Sequence, residues 1–552
     1  MIHRAVQHPS SSAIAETHPD RIATWPNWLA LAIVALSSLY AVLALAWFPK
    51  WTVDDAYITY RYAENLAHHG QPTWNAGLDP VEGYTGVALP VILAGSIAVG
   101  ADPDVASKTL GVLAFLLLAL TTWRLCGRLS VSPLGKSAVL AGLCTAPFMF
   151  THALSGLETV MFMACVVLAV DRASAVELAL RFERSLWLEL SASTLVAGLI
   201  RPEGVALSCV LVIACLCAEA RRRPALTTPD RYGGVERTLV VLSTLRALGI
   251  WVGVFALPGA AYFAWRASYY GQLLPNTFYA KLHTGFVIES LVDAAKFAVV
   301  YLAAPMSVAL VAVATVRRRA FVALAGLPWR TAIAAIAFGA VCLALYSRSA
   351  LVMNFGFRFF VPFYPIVLIG TAAVATHALR RVPAGRARTL VVAAIAVFVV
   401  AQTGVHARLL GRIAREAAAT ERLLTDEHRK VGQFLRDRLS ADATIVVVVD
   451  AGAIPYYSGL RTIDFGGLND EFLSHRFRDR TPKSDIVDYF FATNPSAIVF
   501  TSRFKDRIEG PEPVRVQDDA RFANYALVRV FSCEEWPEYH QLVYLRRDLA
   551  VD

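Results

Sequence analysis

Eleven apolar runs of 15–22 residues fill the first 404 positions of the chain, and they leave few folds open to it. The runs are 27–48, 105–125, 137–152, 157–171, 186–200, 203–218, 247–267, 297–316, 331–347, 359–379 and 389–404. A hydrocarbon core of ~30 Å takes roughly 17–25 helical residues to cross. Inside it every backbone N–H and C=O must be satisfied within the protein, so such runs fold as helices. The first run is longer than a signal-peptide core and lacks a small-residue cleavage site, which reads as a retained helix. Charge is placed just as unevenly. Residues 405–552 carry 21 Lys+Arg and 23 Asp+Glu, whereas residues 1–404 carry 31 and 20. The expected organisation is an N-terminal segment 1–26, a polytopic α-helical membrane domain 27–404 with about eleven spans, and a soluble tail 405–552.

A twelfth apolar stretch, Val87–Val99, has only 13 residues and contains Pro90. It is too short to cross and suits an interfacial or re-entrant helix. Parity agrees. With that stretch not crossing, five basic clusters fall on one side of the membrane: Arg124/Arg128/Lys136, Arg172/Arg181/Arg184, Arg221/Arg222/Arg223, Arg317/Arg318/Arg319 and Arg380/Arg381/Arg386/Arg388. The positive-inside rule makes that side cytoplasmic and puts the tail outside. The net charge of +9 is then a topology signal, and no nucleic-acid partner is expected from it. Of eight cysteines only Cys533 lies in the tail, so no disulfide can form within it.

The outer segments implied by this topology hold the unusual residues. The first, 49–104, contains DDAYITYRYAENL (Asp54–Leu66), WNAG (Trp74–Gly77) and VEGYT (Val81–Thr85). If Asp54–Ala67 is helical, Asp54, Tyr57, Arg61 and Asn65 share one stripe. Thr52 and Asp55 also fit a helix cap with an acidic first turn, which needs no chemistry. Against that stands the cost of a carboxylate pair beside a membrane core, unless it is paired or used. His68-His69 read as an exposed helix end.

Other outer segments add Glu158, the tight turn Arg201-Pro202-Glu203-Gly204, Asn276, Tyr279 and Lys281 in PNTFYAKL, and Arg358. Glu158 with Arg201 reads either as an ion pair holding helix ends or as part of a substrate site. Arg358 reads either as snorkelling to the interface or as a phosphate contact. Lys281, in a polar and aromatic setting, is the cation best placed to meet a phosphate.

No zincin, CxxC or P-loop spacing is present. Carboxylates and cations gathered from several helices at one membrane face suit a lipid-borne anionic substrate. Glycosyl transfer from a lipid phosphate fits: cations stabilise the departing phosphate and one carboxylate takes the acceptor's proton. The competing reading is a transporter or flippase of lipid-linked sugars. Transporters hold substrate near the midplane on broken helices, whereas the ionisable residues here sit at helix ends.

The strings DDAYITYRYAENL, WNAG, VEGYT, RPEG, PNTFYAKL and, in the tail, VDAGAIPYYSG (Val449–Gly459) resemble the actinobacterial terminal β-(1→2)-arabinofuranosyltransferase family. More broadly they resemble the GT-C superfamily of polyprenyl-phosphate-sugar glycosyltransferases. The resemblance implies a GT-C fold and a multi-pass protein of the bacterial inner membrane with an extracytoplasmic tail. It further implies a decaprenyl-phosphate-arabinofuranose donor, inversion at the anomeric carbon, and a glycan or glycoconjugate acceptor. The base would be a first-loop acid, Asp54 or Asp55. Donor and phosphate contacts are expected from Lys281, Arg201, Arg358, Asn276 and Tyr279. Substrate contacts are expected from Tyr57, Arg61, Trp74, Asn75, Glu82, Tyr84, Glu158, Glu203, Asp450 and Tyr456. No cofactor is required, and a divalent cation is left open. The chain departs from the family after VEGYT, where Gly86-Val87-Ala88 stands in place of a polar amide and aromatics.

The tail predicts an amphipathic helix over Val405–Leu439, strands at Thr444–Val449, Ala497–Phe500, Tyr525–Val530 and Gln541–Leu545, and a helix at Ile486–Ala492. That alternation implies a small α/β domain. Asp450, at the end of a strand, either starts a turn or positions the acceptor.

Overall fold

The computed structural model describes residues 27–222, 233–281, 285–316, 326–380, 385–476, 481–510 and 514–550. The N-terminal segment 1–26 and the Arg317/Arg318/Arg319 cluster lie outside them.

Each of the eleven apolar runs lies mainly in helix, with 137–152 broken at Ala146 and 157–171 and 359–379 beginning two residues before their helices. Seven described helices are long and apolar enough to cross a membrane on their own, and a bent pair makes an eighth. That pair, Pro133–Thr145 and Pro147–Leu154, turns by 54° at Ala146. Pro147 lacks the N–H that would continue the first helix and disfavours helical backbone at the residue before it. Arg184–Ile200 and Glu203–Glu219 are 17 residues each, and Arg386–Leu423 begins apolar and ends charged. Two spans contain a π-helical turn, Val252–Ala256 beside Pro258 and Ala298–Leu302 beside Pro305. Each proline removes an intrahelical donor and crowds the carbonyl four residues back, and the helix widens there.

Between the first two spans, α1 (Asn27–Trp47) and α4 (Pro103–Arg128), lie two helices that do not cross: α2 (Asp54–His69) and α3 (Ala88–Ala98). The 11 residues of α3 cannot span, as its length and Pro90 predict; Leu89, Pro90, Leu93 and Ala94 are buried. The expected Thr52 cap on α2 is not made. Val53 occupies the cap position without a side-chain bond. Thr52 instead donates through Oγ1 to Asp104 Oδ1 at 2.6 Å and through its backbone N–H to Glu421 at 3.1 Å. Gly70 ends α2 in the left-handed region (φ 68°), its N–H bonding Asn65 and Leu66 carbonyls. His68 and His69 are exposed.

Arginines of the predicted cytoplasmic clusters collect at one end of the bundle. Asp171 takes Arg124, Arg128 and Arg172; Glu219 and the Val176 carbonyl take Arg222; the Ser130 carbonyl takes Arg380. The tail sits at the other end.

The last span does not stop at the membrane. Arg386–Leu423 runs on through a π-helical turn (Leu424–Arg429) into Lys430–Arg438, so the helix predicted over Val405–Leu439 is a continuation of the span rather than a separate element. The tail is a five-stranded sheet: β1 (Thr444–Val447), β2 (Arg461–Asp464), β3 (Ala497–Ser502), β4 (Tyr525–Ser532) and β5 (His540–Arg546), in the order β2-β1-β3-β5-β4. Strands β2, β1 and β3 are parallel, while β5 runs antiparallel to both β3 and β4. Central β1 and β3 are buried at every residue, matching their unbroken apolar sequence. Helix Lys430–Arg438 covers one face through Val431 and Leu435; Phe490 of helix Lys483–Ala492 packs on the other. The sequence pattern did not reveal β2, a four-residue strand with a charge at each end.

Candidate active site

Helix α2 presents its two aspartates to different surroundings. Consecutive helical residues point about 100° apart, and that angle separates a cleft from a buried seam.

Asp55 faces the cleft. About 540 Å³ in volume, counting its open mouth, it is lined by Asp55, Thr59, Tyr84, Glu158, Lys281 and Arg358, with Leu468 contributed by the tail. Five segments far apart in sequence meet here: the first outer segment, residues 157–158, 277–281, 358 and the tail. Gly86 lines the same cleft, and a Cβ at that position would come within 1.8 Å of the Ile200 carbonyl. The approach of the Arg201 turn therefore leaves no room for a side chain at Gly86. That turn is equally close-packed, since a Cβ on Gly204 would lie 2.3 Å from the Ala197 backbone.

The charges in the cleft are balanced unequally. Arg358 donates to Glu158 at 2.8 Å, and Arg201 reaches Glu203 at 3.1 Å and Glu158 at 4.0 Å. Tyr346 completes the group by donating to Glu203 at 2.7 Å. Burial would lift the Glu158 carboxyl, but Arg358 and Arg201 hold it below the usual range. Asp55 and Lys281 have no such bonded partners: among the described residues, no side-chain hydrogen bond joins either to a neighbour. Burial raises the Asp55 carboxyl above its ordinary value, against the opposing pull of Lys281 and Arg358. Burial pulls the Lys281 ammonium down, with Asp55 opposing. An acid made more basic thus shares a cleft with a cation short of counter-charge.

Asp54 faces the seam with the tail. Its Oδ2 accepts from the Gly452 N–H at 2.9 Å, and its Oδ1 accepts from the Ala453 N–H at 2.8 Å and lies 3.1 Å from His428 Nδ1. The other ring nitrogen of His428 is 3.6 Å from Asp450 Oδ2. Asp450 also accepts from Tyr539 (2.7 Å), Thr501 (2.7 Å) and Gln541 (2.7 Å). Asp54, His428 and Asp450 stand within 4.8 Å of one another. Each also has partners outside the trio, and the His428 ring lies between the two acids.

Most of the remaining sequence candidates hold this seam together and do not line the cleft. Arg61 donates to the carbonyls of Trp74 (2.8 Å), Pro455 (2.6 Å) and Leu460 (2.8 Å) and to Asn75 Oδ1 (3.0 Å), with its guanidinium over the Trp74 ring. Trp74 and Asn75 both bond Thr462 of β2. Tyr57 packs against Tyr456 and Tyr457, and Tyr456 donates to Glu64 at 2.7 Å. Glu82 is bound by Arg266 at 2.6–2.8 Å, and its carbonyl accepts from the Asn276 N–H at 3.1 Å. Asn276 is buried beside the cleft residue Thr277, and the Tyr279 ring packs at a tilt against His475 of the tail. The cleft thus brings together Asp55, Tyr84, Glu158, Lys281 and Arg358, with Arg201 and Glu203 behind them. Sequence reasoning missed His428, Tyr539 and Gln541.

The tail, over residues 413–545, matches a family described as a domain of unknown function, DUF8728. No curated protein matches the chain. Among solved structures, ArnT from Cupriavidus metallidurans in the apo state aligns with a TM-score of 0.53 at 14% identity, over 95% of this chain and 99% of that one. The same protein bound to undecaprenyl phosphate aligns with a TM-score of 0.51 at 13% identity, over 96% and 100%. The apo oligosaccharyltransferase of Archaeoglobus fulgidus aligns at 0.49 and 10%, over 86% and 69%. The likeness to ArnT takes in both the helical bundle and the tail, and the chain has the fold of those structures: a polytopic helical membrane protein with a soluble C-terminal α/β domain.

Proposed function

We propose that this protein is an integral-membrane glycosyltransferase that moves a sugar from a polyprenyl-phosphate carrier to a glycan or glycoconjugate acceptor. The observation that carries the reading is Asp55 in one cleft with Lys281 and Arg358 at the tail-bearing end of the bundle. Asp55 takes the proton of the acceptor hydroxyl as its oxygen attacks the anomeric carbon. The bond from that carbon to the phosphate oxygen breaks on the far side, which inverts the centre. Lys281 and Arg358 stabilise the lipid phosphate that leaves. A carboxylate raised by burial is a better base near neutral pH than an exposed one. The ArnT structure bound to undecaprenyl phosphate supports a polyprenyl-phosphate ligand for a cleft on this fold.

Arabinofuranose is the sugar favoured by the first-loop motif. The arginine-rich end is assigned to the cytoplasm and the tail to the outside of a bacterial inner membrane. Incubating membranes that contain the protein with candidate polyprenyl-phosphate sugars tests the reading. Consumption of one of them with growth of the acceptor is expected, and transport of a lipid-linked sugar without consumption would favour a flippase.

A further inference from the structure

The seam behind Asp54 is more elaborate than docking requires. The π-helical turn Leu424–Arg429 turns two consecutive residues, Glu427 and His428, inward, and both are almost fully buried. Both ring nitrogens of His428 meet carboxylate oxygens, Nδ1 that of Asp54 and Nε2 that of Asp450. Only the Asp54 contact, at 3.1 Å, is a hydrogen bond; Nε2 stands 3.6 Å from Asp450 and 3.5 Å from the Gln541 amide nitrogen, and the two flanking carboxylates favour the charged ring. The backbone of Gly452 and Ala453 then grips the same Asp54 carboxylate. Gly452 is the residue that permits the grip, because a Cβ there would lie 2.0 Å from the Asp54 carbonyl oxygen.

We propose that His428 is a positioning residue: through Asp54 the tail pins the first turn of α2 and so aims Asp55 into the cleft. This assigns a task to the tail domain, which is to hold the base in register from the far side of the helix. The inference rests on the glycosyl-transfer reading for what Asp55 does, but not for what His428 holds. A pinned first turn fixes both the rotation and the height of α2, and a misplacement of about 1 Å at a reacting group can cost on the order of a hundredfold in rate.

The groups that face His428 set when the clamp is closed. They are Asp54 on α2, Asp450 after β1, Glu427 on its own helix, and Tyr539 and Gln541 before and on β5. Burial disfavours the imidazolium, but Asp450 and Asp54 outweigh it and push the ring up to about 9. Glu427, buried, is lifted to about 8. A histidine raised in this way keeps its contribution at neutral pH and loses it as the pH rises through about 9.

The test uses the full chain in detergent or nanodiscs with His428→Ala and His428→Asn. Two readouts are taken: steady-state transfer across pH, and amide exchange at Gly452, Ala453 and the first turn of α2. Either variant should lower kcat about a hundredfold with the donor KM within twofold, because Lys281 and Arg358 are untouched. Wild type should lose kcat as pH rises through about 9, and that limb should be missing from the variants. Exchange should quicken at those amides and not throughout the tail sheet. Unchanged kcat, or an unchanged alkaline limb, would overturn the proposal. If no polyprenyl-phosphate sugar is consumed by wild type, the transfer reading fails, and exchange alone decides the clamp: amides still protected in both variants overturn it.

Discussion

Arg61 Nη1 donates to the carbonyl of Pro455 at 2.6 Å, joining residues 394 positions apart in the chain. The same guanidinium holds the carbonyls of Trp74 and Leu460, so one buried side chain ties α2, the rest of the first loop and the strand-leading segment of the tail together. The loop carrying the aspartates and the tail are therefore one folded unit.

Replacing Arg61 should show that unity as a loss of stability. Arg61→Ala removes charge-assisted bonds to three carbonyls that each keep another donor, from Asn65, Ser458 with Gly459, and Thr462; at roughly 1.5–3 kcal/mol for a bond to a charged group, a destabilisation of about 3 kcal/mol or more is expected. Thermal unfolding of the detergent-solubilised protein measures it. An unchanged melting temperature would mean that water or another side chain replaces the guanidinium.

Two glycines separate close approach from backbone strain. Gly452→Ala must displace the first turn of α2, since the added Cβ would meet the Asp54 carbonyl at 2.0 Å. It should lower transfer at least tenfold, by the sensitivity of rate to small misplacements. Gly70→Ala adds a Cβ in open space at φ 68°; it should cost about 1 kcal/mol of stability and leave transfer intact. Paired rate and melting measurements distinguish them, and equal rate losses in the two would contradict the assignment.

Lys281 shares the cleft with Asp55 and Arg358, and burial already weakens its hold on its proton. A phosphate arriving beside it favours the ammonium and gains a charge-assisted hydrogen bond, worth about 1.5–3 kcal/mol. Lys281→Ala should therefore weaken donor binding roughly ten- to a hundredfold and acceptor binding much less. Titration with a polyprenyl-phosphate analogue reads the difference. Equal effects on the two substrates would remove Lys281 from the phosphate site.

The pH profile should carry the mark of Asp55. Burial raises its carboxyl above the ordinary value, and a base works only when deprotonated. Activity should be present above that raised value and fall as pH drops through it, with an acid limb above the usual carboxylate range. A profile of kcat/KM against pH measures the limb. A limb at the value of an exposed aspartate would place the base elsewhere.

Much of this arrangement was legible in the sequence, and the parts that were not share a cause. Apolar length set out the helices, and the Pro90 stretch was correctly read as too short to cross. Arginine placement predicted that the basic clusters gather at one end, which Arg128, Arg222 and Arg380 bear out. Asp54 and Asp55 stood out as a pair, but nothing local separates them, because their partners come from residues 281 and 358 on one side and 428 and 452 on the other. Trp74, Asn75 and Arg61 have the composition of a sugar-binding surface, yet here they bond the backbone of the tail. A side chain that reads a glycan and one that caps a distant carbonyl look alike in sequence. His428 was hidden because the charged run Asp426–Lys430 gives no local sign that Glu427 and His428 are buried.

The central claim is that Asp55, and not its neighbour, takes the acceptor's proton. Single-turnover transfer from the polyprenyl-phosphate sugar that wild type consumes, measured with Asp55→Asn, tests it most directly. The account predicts a rate lowered by about 10²–10⁴-fold with donor affinity preserved and the Asp54 seam intact by amide exchange. Transfer at the wild-type rate in Asp55→Asn would contradict it.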